Sequence, residues 1–176
     1  MIRAMRRRYH RELYADRVAR IKGQMPNACI GVDVIVGYPG ETEELFQETV
    51  QFLKDLDVAY LHVFSYSERN NTVAVRRTDT IPMEIRRKRS KFLQQLSEKK
   101  KRFFYESQLN KEFTVLFEAQ EQNGEMYGLT ENYVKIKSAY NPDWINELKT
   151  VIPTHVNADC TVHAEILVDK LAPVMA

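Results

Sequence analysis

Apolar and polar positions recur along this chain in two different rhythms. In residues 11–24, "RELYADRVARIKGQ", Leu13, Val18 and Ile21 return at helical spacing and Gly23 marks the stop. Residues 28–36, "ACIGVDVIV", form a nearly unbroken apolar run rich in β-branched side chains, the pattern of a strand covered on both faces. Residues 41–57 go back to the helical period, with a broad stripe of Leu45, Phe46, Val50, Phe52 and Leu53. Thr42 is placed to cap that helix, and its early glutamates suit the positive end of the dipole. Residues 59–67, "AYLHVFSYS", predict a second buried strand. Helix, strand, helix, strand is the grammar of a β/α repeat, and it predicts a parallel sheet.

After Pro82 the rhythm stays helical through 83–110, a stretch with no Gly or Pro. Ile85, Phe92, Leu93, Leu96 and Phe103 can share one face there, with nine Lys and Arg between Arg86 and Arg102 elsewhere. Beyond about residue 110 the period drops to two. "EFTVLFEAQE", "EMYGLTE", "NYVKIKSAY" and "TVHAEILV" read as short strands, separated by polar turns such as Gln122-Asn123-Gly124. They predict a small antiparallel barrel or sandwich.

Composition adds an organisation to this pattern. A chain of 176 residues holds one domain or two small ones, and its 44% hydrophobic and 28% charged residues are ordinary for a globular protein. The net charge of +2 is unevenly spread: residues 1–106 carry 21 Lys and Arg against 14 Asp and Glu, whereas residues 107–176 carry 5 against 10. The halves stand at +7 and −5, as expected of two units with different surfaces. No apolar run approaches the ~20 residues of a membrane span, and "MIRAMRRRYH" has no apolar segment behind its basic residues. Cys29 and Cys160 are isolated, which predicts no disulfide framework, a reducing cytoplasm, and two buried small apolar residues. His10, His62, His155 and His163 show no metal-ligand spacing and are read as structural or surface residues.

The segment "GVDVIVGYPGET", residues 31–42, is the strongest candidate for chemistry. Ligands of α/β sheets and barrels sit at the carboxyl ends of the strands, and the turn Gly37-Tyr38-Pro39-Gly40 lies at that end. Glycines there permit close backbone approach, and the next helix presents N–H donors. Asp33, a carboxylate inside an apolar strand, is bound to neighbouring backbone or faces a polar ligand.

Three stretches taken together, "MRRRY" (5–9), "GVDVIVGYPGETEELFQET" (31–49) and "YLHVFSYSERNNTVA" (60–74), resemble the radical S-adenosylmethionine methylthiotransferases. The "LHVFSYSER" wording is most similar to the branch that adds a methylthio group to C2 of N6-threonylcarbamoyladenosine beside the tRNA anticodon. The tail from about residue 108 resembles that family's TRAM domain. The resemblance implies an α/β late part of a partial TIM-like radical barrel followed by a small antiparallel, OB-like β-barrel. It divides the chain into 1–82 (barrel part), 83–107 (basic linker helix), 108–170 (TRAM-like domain) and 171–176 (tail). It places Arg7, Asp33, Ile35 and Gly37 at the S-adenosylmethionine pocket, and Arg69 among the residues that meet RNA. A guanidinium fork suits the carboxylates and phosphates of such ligands.

Two departures qualify the likeness. The family's three cysteines at C-x-x-x-C-x-x-C spacing, which hold a [4Fe–4S] cluster, are absent and are expected upstream of Met5 in an N-terminal portion. No residue here is therefore assigned as catalytic or as a metal ligand, and the chain is expected to be inactive alone. The family's Pro-Gly after the Tyr-Ser-x-Arg motif is Asn70-Asn71 here, a pair that still tolerates a left-handed turn. A non-catalytic RNA-binding module and the branch acting on a ribosomal protein remain the alternatives. For tRNA, the charge points to Lys99, Lys100, Lys101 and Arg102 on the linker helix, and the resemblance to Lys135 and Lys137 on the β-tail. Part of a barrel leaves an apolar edge, so residues 1–70 are expected to drive aggregation or oligomerisation while 108–170 folds on its own.

Overall fold

A computed structural model describes residues 10–167 and shows a mixed α/β protein. The chain separates into two compact units, 1–101 and 102–176, with the division inside one long helix.

The first unit is built around a β-α-β repeat. Helix α1 (Arg11–Gln24) precedes strand β1 (Gly31–Val36), helix α2 (Glu43–Asp55), strand β2 (Tyr60–Ser65) and helix α3 (Met83–Glu106), the last of which runs on past the division. The two strands pair in parallel, with Val32 opposite Leu61, Asp33 opposite His62 and Ile35 opposite Phe64. The predicted order of elements and the parallel pairing are present. Thr42 caps α2 as predicted, accepting a hydrogen bond from the Leu45 N–H at 3.3 Å.

The core lies on one side of this sheet. Val32, Val34 and Val36 pack with Phe46, Val50 and Leu53 of α2, Val18 of α1 and Leu93 of α3. Each such side chain contributes roughly 1.5–3 kcal/mol by leaving water. Strand β1 is accordingly not covered on both faces: its residues alternate, and Gly31, Asp33 and Ile35 are exposed. Strand β2 is shorter than predicted, and Leu61 is its one fully buried residue. Its outer backbone is met by α3, because Ser97 Oγ accepts from the Leu61 N–H (2.8 Å) and donates to the Leu61 carbonyl (2.9 Å). In α1, Val18 is buried but Leu13 and Ile21 are exposed, and the helix continues past Gly23 to Gln24.

The second unit is a five-stranded barrel closed in the order β3-β4-β5-β7-β6. Its strands are β3 (Phe113–Gln122), β4 (Glu125–Thr130), β5 (Lys135–Ala139), β6 (Leu148–Val156) and β7 (Val162–Leu167). Asn123 and Gly124, both at positive φ, make the β3–β4 hairpin turn that the sequence marks. Closure is not purely antiparallel as expected, since β5 and β7 run parallel. Strand β6 falls outside the predicted set: it contains Pro153, a residue that normally argues against a strand interior. The ladder accommodates it with a register shift between Pro153 and His155. The core holds Phe113, Val115, Phe117, Met126, Ile136, Val151 and Val162. Phe104 and Tyr105 from the end of α3 are buried as well, and the Tyr105 hydroxyl donates to the Tyr133 carbonyl at 3.1 Å.

Candidate functional site

The exposed side of the β1–β2 sheet gathers side chains of unlike chemistry. Asp33 and Ile35 of β1 stand beside His62 and Phe64 of β2, all four exposed, with Ile35 37% and Phe64 52% accessible. At the amino end of the sheet, Tyr60 lies over Gly31, where a Cβ would land on its ring. The His62 ring stands edge-on to Tyr60 at 4.9 Å. The face thus offers a carboxylate, an imidazole and two apolar surfaces, a set that can hold a polar ligand carrying an apolar or aromatic part.

The carboxyl ends of both strands are fixed from α3. Gly37 adopts φ +76° and its N–H donates to Glu41 Oε2 at 2.7 Å. That same oxygen, and the Glu41 carbonyl, each accept from Arg89 Nη1 at 2.8 Å, while Arg89 Nη2 reaches Glu43 at 3.0 Å. The Arg89 guanidinium also lies 5.0 Å from the centre of the Phe46 ring. Arg86 donates to the carbonyls of Ile81 (2.7 Å) and Tyr66 (2.8 Å) and to the Glu68 carboxylate (2.5 Å). This bond from Arg86 holds the Glu68 carboxyl below its ordinary pKa and raises that of Arg86. The turn at Gly40 is tied in turn to the Arg77–Asp79 ion pair, with the Gly40 N–H donating to the Asp79 carbonyl at 2.9 Å. Bonds to carbonyls and carboxylates from the buried Arg86 and Arg89 stiffen this rim, with the more exposed Arg77–Asp79 pair beside them.

The sequence-predicted residues meet this geometry unevenly. Asp33 and Ile35 share the open face. Gly37 is buried: the space beside its Cα is filled by the stem of Arg86 and its amide is spent on Glu41, so it offers a ligand no close approach. Arg7 lies outside the described residues. Arg69 is exposed on the loop after β2, and Asn71 there does take a left-handed conformation, φ +66°. Cys29 and Cys160 are half-buried rather than buried, and burial pushes the Cys29 thiol up.

The basic residues of α3 divide by face. Arg86 and Arg89 are 3% and 5% exposed, and no pattern of charge alone separates them from their solvated neighbours. The signal that could have found them is the row 86, 89, 93, 97, 100, 104, spaced by three and four, once arginine is admitted as an interior residue. Lys100 donates to the carbonyls of Leu56 (2.8 Å) and Lys54 (3.2 Å), and burial lowers its pKa. Arg102 pairs with Glu106 at 2.9 Å and reaches the Asn157 carbonyl at 3.0 Å. Lys101 is half-buried, so of the four residues 99–102 only Lys99 is fully exposed. On the barrel, Lys135 lies 4.5 Å from the centre of the Tyr127 ring, and Lys137 pairs with Glu125 at 2.8 Å, which raises its pKa.

No helix among the described residues is long and apolar enough to cross a membrane. No protein-family profile matches the chain. Curated proteins do match. A threonylcarbamoyladenosine tRNA methylthiotransferase of Aquifex aeolicus is 40% identical over 137 residues, 78% of this chain and 32% of that protein. The enzyme of the same name from Bacillus subtilis is 34% identical over 155 residues, 86% of this chain and 34% of that protein. A tRNA-2-methylthio-N(6)-dimethylallyladenosine synthase of Fervidobacterium nodosum is 36% identical over 148 residues, 84% of this chain and 34% of that protein. The chain spans about a third of the length of these relatives. Over those residues the chain is similar to the tRNA methylthiotransferases.

Proposed function

We propose that the chain works as part of a radical S-adenosylmethionine methylthiotransferase that modifies N6-threonylcarbamoyladenosine of tRNA in the cytoplasm. The observation that carries this reading is the open β1–β2 face, where the family-like segment displays Asp33 and Ile35 beside His62 and Phe64. In this reading the strands are late members of a TIM-like radical barrel, and the five-stranded unit is its TRAM domain. Asp33, Ile35 and Phe64 suit an adenosyl group, which needs apolar contact for its base and hydrogen bonds for its ribose. Asp33, Ile35 and Phe64 would hold S-adenosylmethionine, which, given an electron from a cluster held outside this chain, would supply the hydrogen abstraction at C2 of the substrate base. The cluster does not fit the residues in hand. It needs three thiolates, whereas the sequence has two cysteines, one in each unit. The cluster ligands are therefore assigned to a partner portion, and the chain alone is held inactive.

A chimera tests the proposal. The matched third of the Bacillus subtilis relative is replaced by this chain and expressed in cells lacking their own enzyme, and tRNA nucleosides are read by mass spectrometry. 2-Methylthio-N6-threonylcarbamoyladenosine is expected, and Asp33→Ala in the chimera removes it. Product on dimethylallyladenosine instead would overturn the branch. A folded, cluster-loaded chimera that makes neither nucleoside would overturn the methylthiotransferase reading.

A further inference from the structure

The sorting of cations on α3 leaves one surface unexplained. Facing the core are Arg86, Arg89 and Lys100, each spent on carbonyls or carboxylates. Arg87, Lys88, Lys91 and Lys99 are all exposed. At 100° per residue these four fall within about 120° of one another, on the side of the helix opposite Leu93. Glu84 and Glu98 are the carboxylates on the same side, and exposed Gln94 and Gln95 lie along it. The ridge extends over roughly 18 Å of helix, a length of double helix that carries about ten phosphates.

We infer that this ridge, Arg87, Lys88, Lys91 and Lys99, is the surface on which the phosphate backbone of the tRNA docks; the inference rests on the tRNA reading above. Two observations favour it over the barrel. The barrel's candidate cations are already engaged, Lys137 by Glu125 at 2.8 Å and Lys135 by the Tyr127 ring. Residues 107–176 also carry 5 Lys and Arg against 10 Asp and Glu, a field that repels a polyanion. Helix α3 reaches RNA through exposed side chains, whereas the neighbouring Arg86, Arg89 and Lys100 hold the fold. Of the cluster Lys99 to Arg102 that the charge pattern marks, only Lys99 belongs to this ridge.

The test measures tRNA binding by the full chain across a salt series. The variant carrying Arg87→Gln, Lys88→Gln, Lys91→Gln and Lys99→Gln is compared with Lys135→Gln/Lys137→Gln and with Arg17→Gln/Arg20→Gln, an exposed pair on α1. The ridge variant is expected to melt as the parent does, to bind tRNA about tenfold or more weaker, and to lose about three units of the log–log salt slope. The other two variants should stay within about threefold of the parent. A Lys88→Gln/Lys91→Gln pair, expected to show about half of the slope change, serves should the fourfold variant unfold. Tight tRNA binding by the parent with no loss in the ridge variants would overturn the ridge and leave the tRNA reading standing. Loss of heparin binding but not of tRNA binding would overturn it equally. A parent that fails to bind tRNA at all would overturn both.

Discussion

Gly37 is held from three directions: its N–H is given to Glu41, its φ is +76°, and the Arg86 stem fills the space beside its Cα. Arg86 cannot yield, because its guanidinium is bonded to Ile81, Tyr66 and Glu68. Gly37→Ala should therefore cost about 2–4 kcal/mol in urea denaturation, combining left-handed strain with a steric clash. Gly23→Ala, inside α1 with nothing near its missing Cβ, should instead stabilise by up to about 1 kcal/mol. Equal costs at both sites would refute the assignment of the constraint to Arg86. Glu68 gives a pH signature of the same tie. Its carboxyl is held down by the bond from Arg86, so the interaction stabilises fully above the usual carboxylate range and is lost as pH falls through the lowered value. Thermal melts between about pH 3 and 6 should show a flatter acid limb for Glu68→Gln than for the parent.

Among the elements, α3 departs furthest from its apolar pattern. Periodicity chose Ile85, Phe92, Leu93, Leu96 and Phe103 as the inner face, yet Ile85, Phe92 and Phe103 are exposed by 37%, 42% and 73%. The inner row includes Arg86, Arg89 and Lys100, long side chains whose heads find carbonyls and carboxylates, so hydrophobicity alone places the face wrongly. Lys100→Met should cost about 1–2 kcal/mol, since two carbonyls at the end of α2 lose their donor, whereas Lys99→Met should stay within about 0.5 kcal/mol. Strand β1 misled for a related reason. A run of Val, Val, Ile and Val hides its alternation because Ile35, on the open side, is as apolar as its buried neighbours. The β-α-β order, the Thr42 cap and the Asn123-Gly124 hairpin were legible because each depends on local geometry. The buried arginines and β6 were not, because each is settled by tertiary contact or offset by a bulge.

For the whole molecule, the division between Lys101 and Arg102 tells where an independent piece should begin. A fragment starting at residue 102 keeps Phe104 and Tyr105 in the barrel core. It also keeps the buried chain in which Gln108 accepts from Asn132 at 3.2 Å. A fragment starting at residue 108 drops both aromatics and should lose several kcal/mol of stability. Urea melts of the two fragments decide the point, and equal midpoints would refute it. The barrel's strand order carries a further consequence. Strand β7, the last of its five, sits between β5 and β6, so it supplies both of the pairings that close the ring. A ribosome delivers the chain from the amino end, so β3 to β6 emerge with two open edges and nothing to join them. Closure therefore waits for residues 162–167, the last of the five strands to leave the exit tunnel, and until they arrive the sheet exposes both edges to any passing chaperone.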